Sequence, residues 1–317
     1  MDSFRNFVTE FARVAQEARS CPLGGFPPPP PAPALPDSPK ALLFSPHPDD
    51  EAITGGLALR LLREARWNIV NVAVTFGSKP ERRADRYEEL RLACQFLGFD
   101  LVPAASGSLP SGGASSCEPL NLKTLPPCFG LENINASTRT NDPTRWASSV
   151  AAIADILRQH RPTAIFFPHE HDWNSTHIGT HFLVMDALAQ TADLDCFLVE
   201  TEFWGQMANP NLLVEYGVED VADLVAAVSF HAEEVKRNPY HLRLPSWMND
   251  NVRRGGELVG GQGQAAPDFV FAQLFRFRRW QAGRVESIYS GGHTLPATVN
   301  PATLFQPGSF PPSASRQ

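Results

Sequence analysis

The chain has 317 residues, 43% hydrophobic and 19% charged, with a formal net charge of −7 and a pI near 5.7. This composition supports a sizeable core in an α/β domain and lacks the basic footprint of a nucleic-acid partner. No window reaches the roughly 18 apolar residues of a membrane span, and the charged start MDSFRNFVTEFARVAQEARS is no signal peptide, so a cytoplasmic protein is the expectation.

The first element is a helix, because Phe4, Phe7, Val8, Phe11, Val14 and Ala15 recur at helical spacing. Its apolar face has to be buried on the domain or on another subunit, which leaves a homo-oligomer open. The segment GGFPPPPPAPALPDSP follows as an extended, polyproline-like strap. Residues 1–39 therefore read as an N-terminal arm. From Lys40 the pattern turns β-α-β. KALLFSP is a short strand, EAITGGLALRLLREARW a helix and NIVNVAVTFG a second strand. ERRADRYEELRLACQFLG is a second helix with Gly98 as its C-cap, and FDLVPA a third strand.

Residues 105–130, rich in Gly, Ser and Pro, read as a long loop of the kind that forms lids. Asp142 and Pro143 open the next helix as N-cap and first residue. TAIFFPHEH is a buried strand, and a helix runs from Ser175 or Thr176 to about Ala192. DCFLVETEFWG is a further strand. Beyond Asp220 the pattern gives a helix to about Lys236. RRGGELVGGQGQ at 253–264 reads as a mobile loop, followed by the aromatic segment FVFAQLFRFRRW. Residues 40–305 form a single α/β domain in this reading, and 306–317 a flexible tail. Strands alternating with helices imply a Rossmann-like, mostly parallel sheet with helices on both faces. The five cysteines (Cys21, Cys94, Cys117, Cys128 and Cys196) are odd in number and have no CxxC spacing, which argues against a disulfide framework. Only Cys117 and Cys128 lie close enough in sequence to suggest a pair.

The chemistry-bearing motif is SPHPDDE at 45–51, at the carboxyl end of the first strand, where open α/β sheets bind ligands. His47 and Asp50 lie in the turn that opens a helix, where both can converge on one metal ion, and His and carboxylate are standard zinc ligands. Asp49 is then placed to take a proton from an activated water. Taken alone, the same residues serve equally well as a helix cap. A second cluster shifts that balance. Four of the nine histidines (His169, His171, His177 and His181) fall within PHEHDWNSTHIGTH after the later strand, at the same sheet edge. His47, Asp50 and one later His make a three-ligand site with an open position.

SPHPDDEAITGG resembles the first motif of the PIG-L/LmbE-like de-N-acetylase superfamily, and the resemblance runs from about Lys40 to Asp186. It implies a Rossmann-like fold, a zinc ion on His47 and Asp50, and Asp49 as general base. The family's later HxxH motif falls on Asn174-Ser-Thr-His177, so His177 inherits the third ligand position. Asn174 stands where the family has a His that assists the transition state. Asn174 itself, His171, His181, His231 or His293 can take that part. GSKPERRADRYEELRLACQFLG resembles the family's second segment, which points Arg86 toward substrate and leaves Glu89 in a matching place; a solvated helix face explains both as well. Trp173 and Trp204 can stack on a sugar or pack in the core. The resemblance implies deacetylation of an N-acetylglucosamine-type sugar, with a small amino-sugar as partner and no membrane.

Two other readings compete. A nucleotide-binding Rossmann enzyme fits the sheet pattern, but HPDD replaces the glycine fingerprint of its first turn. A non-catalytic carbohydrate-binding relative fits the loss of the first His of HxxH. A His₂Asp site also accepts divalent ions other than zinc.

Overall fold

The computed structural model describes residues 1–29, 37–105, 130–288 and 291–306. The core of the proline run, most of the loop expected at 105–130 with Cys117 and Cys128, and the tail from 307 lie outside the described residues.

The fold is α/β, built on a sheet of nine strands among the described residues. β1 (Lys40–Ser45) is buried at every position but the first. It carries no polar–apolar alternation because both its faces are covered. Ala41 and Leu43 enter one core cluster, Leu42 and Phe44 the other. A strand covered on both sides reads as a continuous apolar run, the mark of a parallel sheet between helical layers. β1 pairs in parallel with β2 (Asn68–Ala73) on one side and β4 (Ala164–Pro168) on the other. β3 (Asp100–Pro103) extends the β2 side, and β5 (Cys196–Thr201) the β4 side. Beyond β5 the sheet turns mixed. β7 (Phe271–Gln281) lies antiparallel between β5 and β6 (Leu212–Tyr216), giving the order β3-β2-β1-β4-β5-β7-β6-β9. β9 (His293–Leu295) closes the far edge, and β8 (Arg284–Ser287) pairs with β7.

α3 (Gly56–Ala65), α4 (Arg83–Leu97) and α8 (Val218–Ser229) pack over one face. α6 (Pro143–His160) and α7 (Ser175–Ala189) cover the other. Local signals hold where they were specific. Gly98 ends α4 at φ 80°, and the Asp142 side chain accepts the Arg145 amide at the start of α6.

Three segments differ from the sequence reading. The helix expected from Glu51 onward is two, α2 (Asp50–Ile53) and α3, separated at Thr54–Gly55. The break presses Gly56 against the sheet, where a Cβ would meet Gln273 Oε1 at 2.6 Å and the Tyr216 ring at 2.7 Å. Gln273 Nε2 then caps the freed Ile53 carbonyl at 2.8 Å. The helix expected to about Lys236 is also two, α8 and α9 (Ala232–Arg237), parted at Phe230–His231. The glycines read as a loop at 253–264 begin inside α10 (Leu244–Leu258). Gly255 lies on Leu213, where a Cβ would stand 2.7 Å from its methyl, so this glycine serves close helix–sheet packing.

The first helix forms as expected (α1, Asp2–Glu17). Its apolar face stays uncovered in the single chain, with Phe4 75% and Phe11 57% exposed. The strap behind it does dock. The Gly24 amide reaches Ser229 Oγ at 3.0 Å, and Phe26 packs against Phe96 and Phe230.

Candidate metal centre and catalytic cavity

The chain places β2 on one side of β1 and β4 on the other, so the segments leaving β1 and β4 diverge and open a crevice at their carboxyl ends. His47 stands two residues beyond β1, and His177 is the third residue of α7, after β4. The crevice brings them together, with His47 Nδ1 3.3 Å from His177 Nε2. Asp50 Oδ2 lies 3.6 Å from the first and 3.3 Å from the second. These three residues form a group able to hold a metal ion.

The donor set fits a divalent cation. Asp50 Oδ1 is buried and has no hydrogen-bond partner, and the ring nitrogens of His47 and His177 converge on one another and on Asp50 Oδ2. Burial opposes charge on Asp50, but His177 and His47 hold its carboxyl far below the usual range. Burial likewise opposes a charged His177, yet Asp50 and Asp172 push it up to about 10. The cluster thus calls for one positive charge at its centre, which a metal supplies. Asp172 Oδ2, 3.5 Å from His177 Nδ1, fixes that ring from behind, as carboxylates commonly do for ligand histidines.

Asp49 occupies an unusual backbone position, φ 123°, which side-chain-bearing residues rarely adopt. The surrounding contacts hold it there. The Asp49 amide donates to Glu51 Oε2 at 2.9 Å, and Glu51 Oε1 pairs with His231 Nε2 at 2.8 Å. Glu51 and His231 are fully buried. Tyr240 donates its hydroxyl to Asp49 Oδ2 at 2.5 Å. Burial and the neighbouring Asp50 charge push the Asp49 carboxyl up to about 7. Replacing Tyr240 by Phe removes one donor without changing shape. It is expected to lower kcat about tenfold, roughly 1.4 kcal/mol in the barrier, with metal content unchanged; unaltered kcat would show that the hydroxyl is dispensable.

Two cavities meet over this centre and share His47, Gly77, Ser78 and Asn174 in their walls. One, of about 330 Å³, contains Asp49, Arg86 and Trp204; the other, about 600 Å³, runs along Asn133, Asn135, Ser175 and Thr176. Asn174 caps α7, its Oδ1 accepting the Thr176 amide at 2.8 Å. That bond fixes the side-chain amide and leaves its NH₂ without an acceptor among the described residues. Arg86 Nη2 donates to the Pro48 carbonyl at 3.1 Å, and its guanidinium lies so close to Gly77 that a Cβ there would collide with it. Trp204 packs edge-on against Tyr240.

His171, His181 and Trp173 stand outside both cavity walls. The rings of His171 and Trp173 are largely in solvent. His181 turns away, because its Nδ1 bonds the Pro168 carbonyl at 3.0 Å and its ring stacks near Phe167. It borders a second buried group made by Glu170, Glu200 and Arg276. His231 acts through Glu51, and His293 is on β9 at the far edge. Sequence reasoning missed Asp172, Glu51 and Tyr240. Asp172 was detectable as a carboxylate inside the His-rich loop; Tyr240, 191 residues from Asp49, had no local signal.

Residues 42–188 match the family described as PIG-L, GlcNAc-PI de-N-acetylase. A curated relative, the 1D-myo-inositol 2-acetamido-2-deoxy-alpha-D-glucopyranoside deacetylase of Mycobacterium leprae (strain Br4923), is 26% identical over 167 residues, 49% of this chain and 52% of that protein. The chain thus spans about half the length of the curated relative it matches. Among solved structures, it is similar to GalB, the 4-carboxy-2-hydroxymuconate hydratase of Pseudomonas putida KT2440. That likeness has a TM-score of 0.50 at 17% identity, over 75% of this chain and 95% of that one. It is also similar to the N,N'-diacetylchitobiose deacetylase of Pyrococcus horikoshii, with a TM-score of 0.48 at 15% identity, over 76% and 84%. The likeness to GalB speaks for the fold alone, and a reaction has to be argued from the site. The matched stretch runs from within β1 into α7 and holds both the SPHPDDE turn and His177, so residues 42–188 are similar to the PIG-L, GlcNAc-PI de-N-acetylase family.

Proposed function

We propose that the protein is a zinc-dependent hydrolase that removes the acetyl group from an N-acetylglucosamine-type sugar. The observation that carries this reading is the convergence of His47, Asp50 and His177, with Asp49 alongside, next to a cavity that His47 and Asp49 line. The curated relative is named as a deacetylase of such a sugar, which supports the substrate class. His47, Asp50 and His177 would hold the ion. When bound there, it supplies Lewis acidity toward the carbonyl oxygen and the attacking water.

The remaining work falls to the chain's own side chains. Asp49 takes the proton of the attacking water and later delivers it to the amine, so that acetate and free amino-sugar leave. The raised affinity of its carboxyl for a proton suits both halves of that exchange. Tyr240 keeps the carboxyl aimed. The Asn174 NH₂ supplies a neutral donor to the developing oxyanion, in the position where the family has a His. Arg86 adds positive charge beside Asp49, and Trp204 offers an aromatic wall for a pyranose face.

The test is metal content together with amine release from N-acetylglucosamine and its disaccharide. Stoichiometric zinc and turnover are expected in the full chain. Chelation is expected to abolish turnover, and adding back zinc to restore it. A protein that hydrolyses these amides at full rate after complete metal removal would overturn the reading.

A further inference from the structure

We propose that the smaller cavity receives an anionic group of the substrate, a phosphate or a carboxylate, on the side-on edge of Arg82. The inference rests on reading the cavity as the substrate site. The cavity leaves the metal centre past Asp49 and runs out between the start of α4 and α9, toward Lys79, Arg82 and Arg237. Arg82 and Arg86 are four apart and both line it.

The unusual feature is what these guanidinia lack. Nε and Nη2 of Arg82 are both buried without a hydrogen-bond partner, and so is Nε of Arg86. A buried donor with no acceptor is costly and asks for an explanation, a missing ligand among them. Nε and Nη2 share one edge of the guanidinium. That edge presents two parallel N–H groups, the geometry that matches two oxygens of a carboxylate or phosphate.

The acids nearby do not fill this edge. Glu89 Oε2 stands 3.7 Å from Arg82 Nη2, outside hydrogen-bond reach, and is itself without a partner. Asp85, 4.0 Å from Nε, is largely in solvent. Glu233 turns to Lys236 at 2.8 Å, and Glu234 to Arg237 at 2.5 Å. The neighbouring Arg83 is bound to Glu132 at 2.6 Å, beside the larger cavity. Lys79, exposed at the mouth, has no ion pair among the described residues and adds positive charge along the entry. α4 also begins here without a side-chain cap, so its first N–H groups favour negative charge.

The test is calorimetric binding to zinc-loaded full-length protein carrying Asp49→Asn, which prevents turnover. The probes are N-acetylglucosamine, N-acetylglucosamine 6-phosphate and N-acetylmuramic acid, the last two separating phosphate from carboxylate. At least one anionic sugar is expected to bind tenfold or more tightly than the neutral one. Adding Arg82→Met is expected to shrink that ratio to within twofold, and Lys79→Met, an exposed change that leaves the fold intact, to shrink it in part. Equal affinity for all three sugars overturns the proposal. So does a ratio that survives Arg82→Met in folded protein, which would put the anion on the metal instead. An Arg82-dependent ratio with no amine release by the wild type would sink the hydrolase reading and leave this one standing; hydrolysis of neutral sugar with no anionic advantage would do the reverse.

Discussion

Asp49→Asn is expected to lower kcat on an N-acetylglucosamine substrate by about 100- to 10,000-fold, the range that one positioned acid–base group contributes. KM should change little, because the substitution keeps the shape of the side chain and one oxygen for the Tyr240 hydroxyl. Metal content should remain, because His47, Asp50 and His177 are untouched. The expectation follows from geometry. Asp49 lines the cavity next to the candidate ligand Asp50 without being a ligand itself. Its backbone strain at φ 123° is sustained by the Glu51–His231 pair below and by Tyr240 beside it. Strain of this kind persists where the surrounding structure over-determines it, and it clusters at functional sites. Turnover by Asp49→Asn within a few-fold of wild type would rule Asp49 out as the base.

Arg276→Met is expected to cost about 3–5 kcal/mol of stability, as breaking a buried ion pair does. At about 2–4 °C per kcal/mol for a domain of this size, Tm should fall by roughly 10 °C. Arg276 sits on β7 directly opposite Glu200 of β5, at the one place where the parallel sheet meets an antiparallel strand. Its guanidinium joins Glu200, which is fully buried, to Glu170 in the loop after β4, and it reaches Asn209 at 3.1 Å. Arg278 binds the other oxygen of Glu200. Losing Arg276 leaves Glu170 unpaired by Arg and Glu200 half paired.

The same network sets an acid limit. Burial pushes Glu170 upward, but the Arg276 bond outweighs it and holds the carboxyl at about 2, below its ordinary 4.5. A carboxyl lowered on folding stabilises fully above its unfolded value and loses that contribution as pH falls through the folded one. The wild type should therefore lose this contribution between about pH 4.5 and 2, and Arg276→Met should show a shallower dependence there. A loss of stability under 1 kcal/mol would mean that water already screens the group.

The predictions divide as the sequence itself divides. The alternating strands and helices from Lys40 to Ala189, the caps at Gly98 and Asp142, and the HPDDE turn were legible because each signal is local. A continuous apolar strand, a left-handed glycine and an Asp before a Pro act through their immediate neighbours. That His47 meets a histidine of the later cluster was also legible, since both follow buried strands and parallel strands put their carboxyl ends on one edge; His177, 130 residues away, was picked out by the resemblance to the family's HxxH motif.

Other features had no such signal. The sequence offered four histidines as partners for His47 and could not rank His171 or His181 against His177 by chemistry alone. The structure separates them by direction. His171 points to solvent, His181 is turned by the Pro168 carbonyl, and only His177 faces Asp50. The helix break at Gly55 and the packing of Gly255 on Leu213 likewise depend on surfaces that local propensity does not see.

The sequence by itself determined the parallel α/β frame, the residue types of a metal site and the edge of the sheet where they meet, because strand direction and motif position are encoded locally. Tertiary structure alone decided what holds Asp49 in place and which donors in the cavity are left unpartnered. Tyr240 reaches Asp49, His231 reaches Glu51 and Arg82 reaches the cavity wall from separate helices and loops, and only the packing of those elements sets their distances.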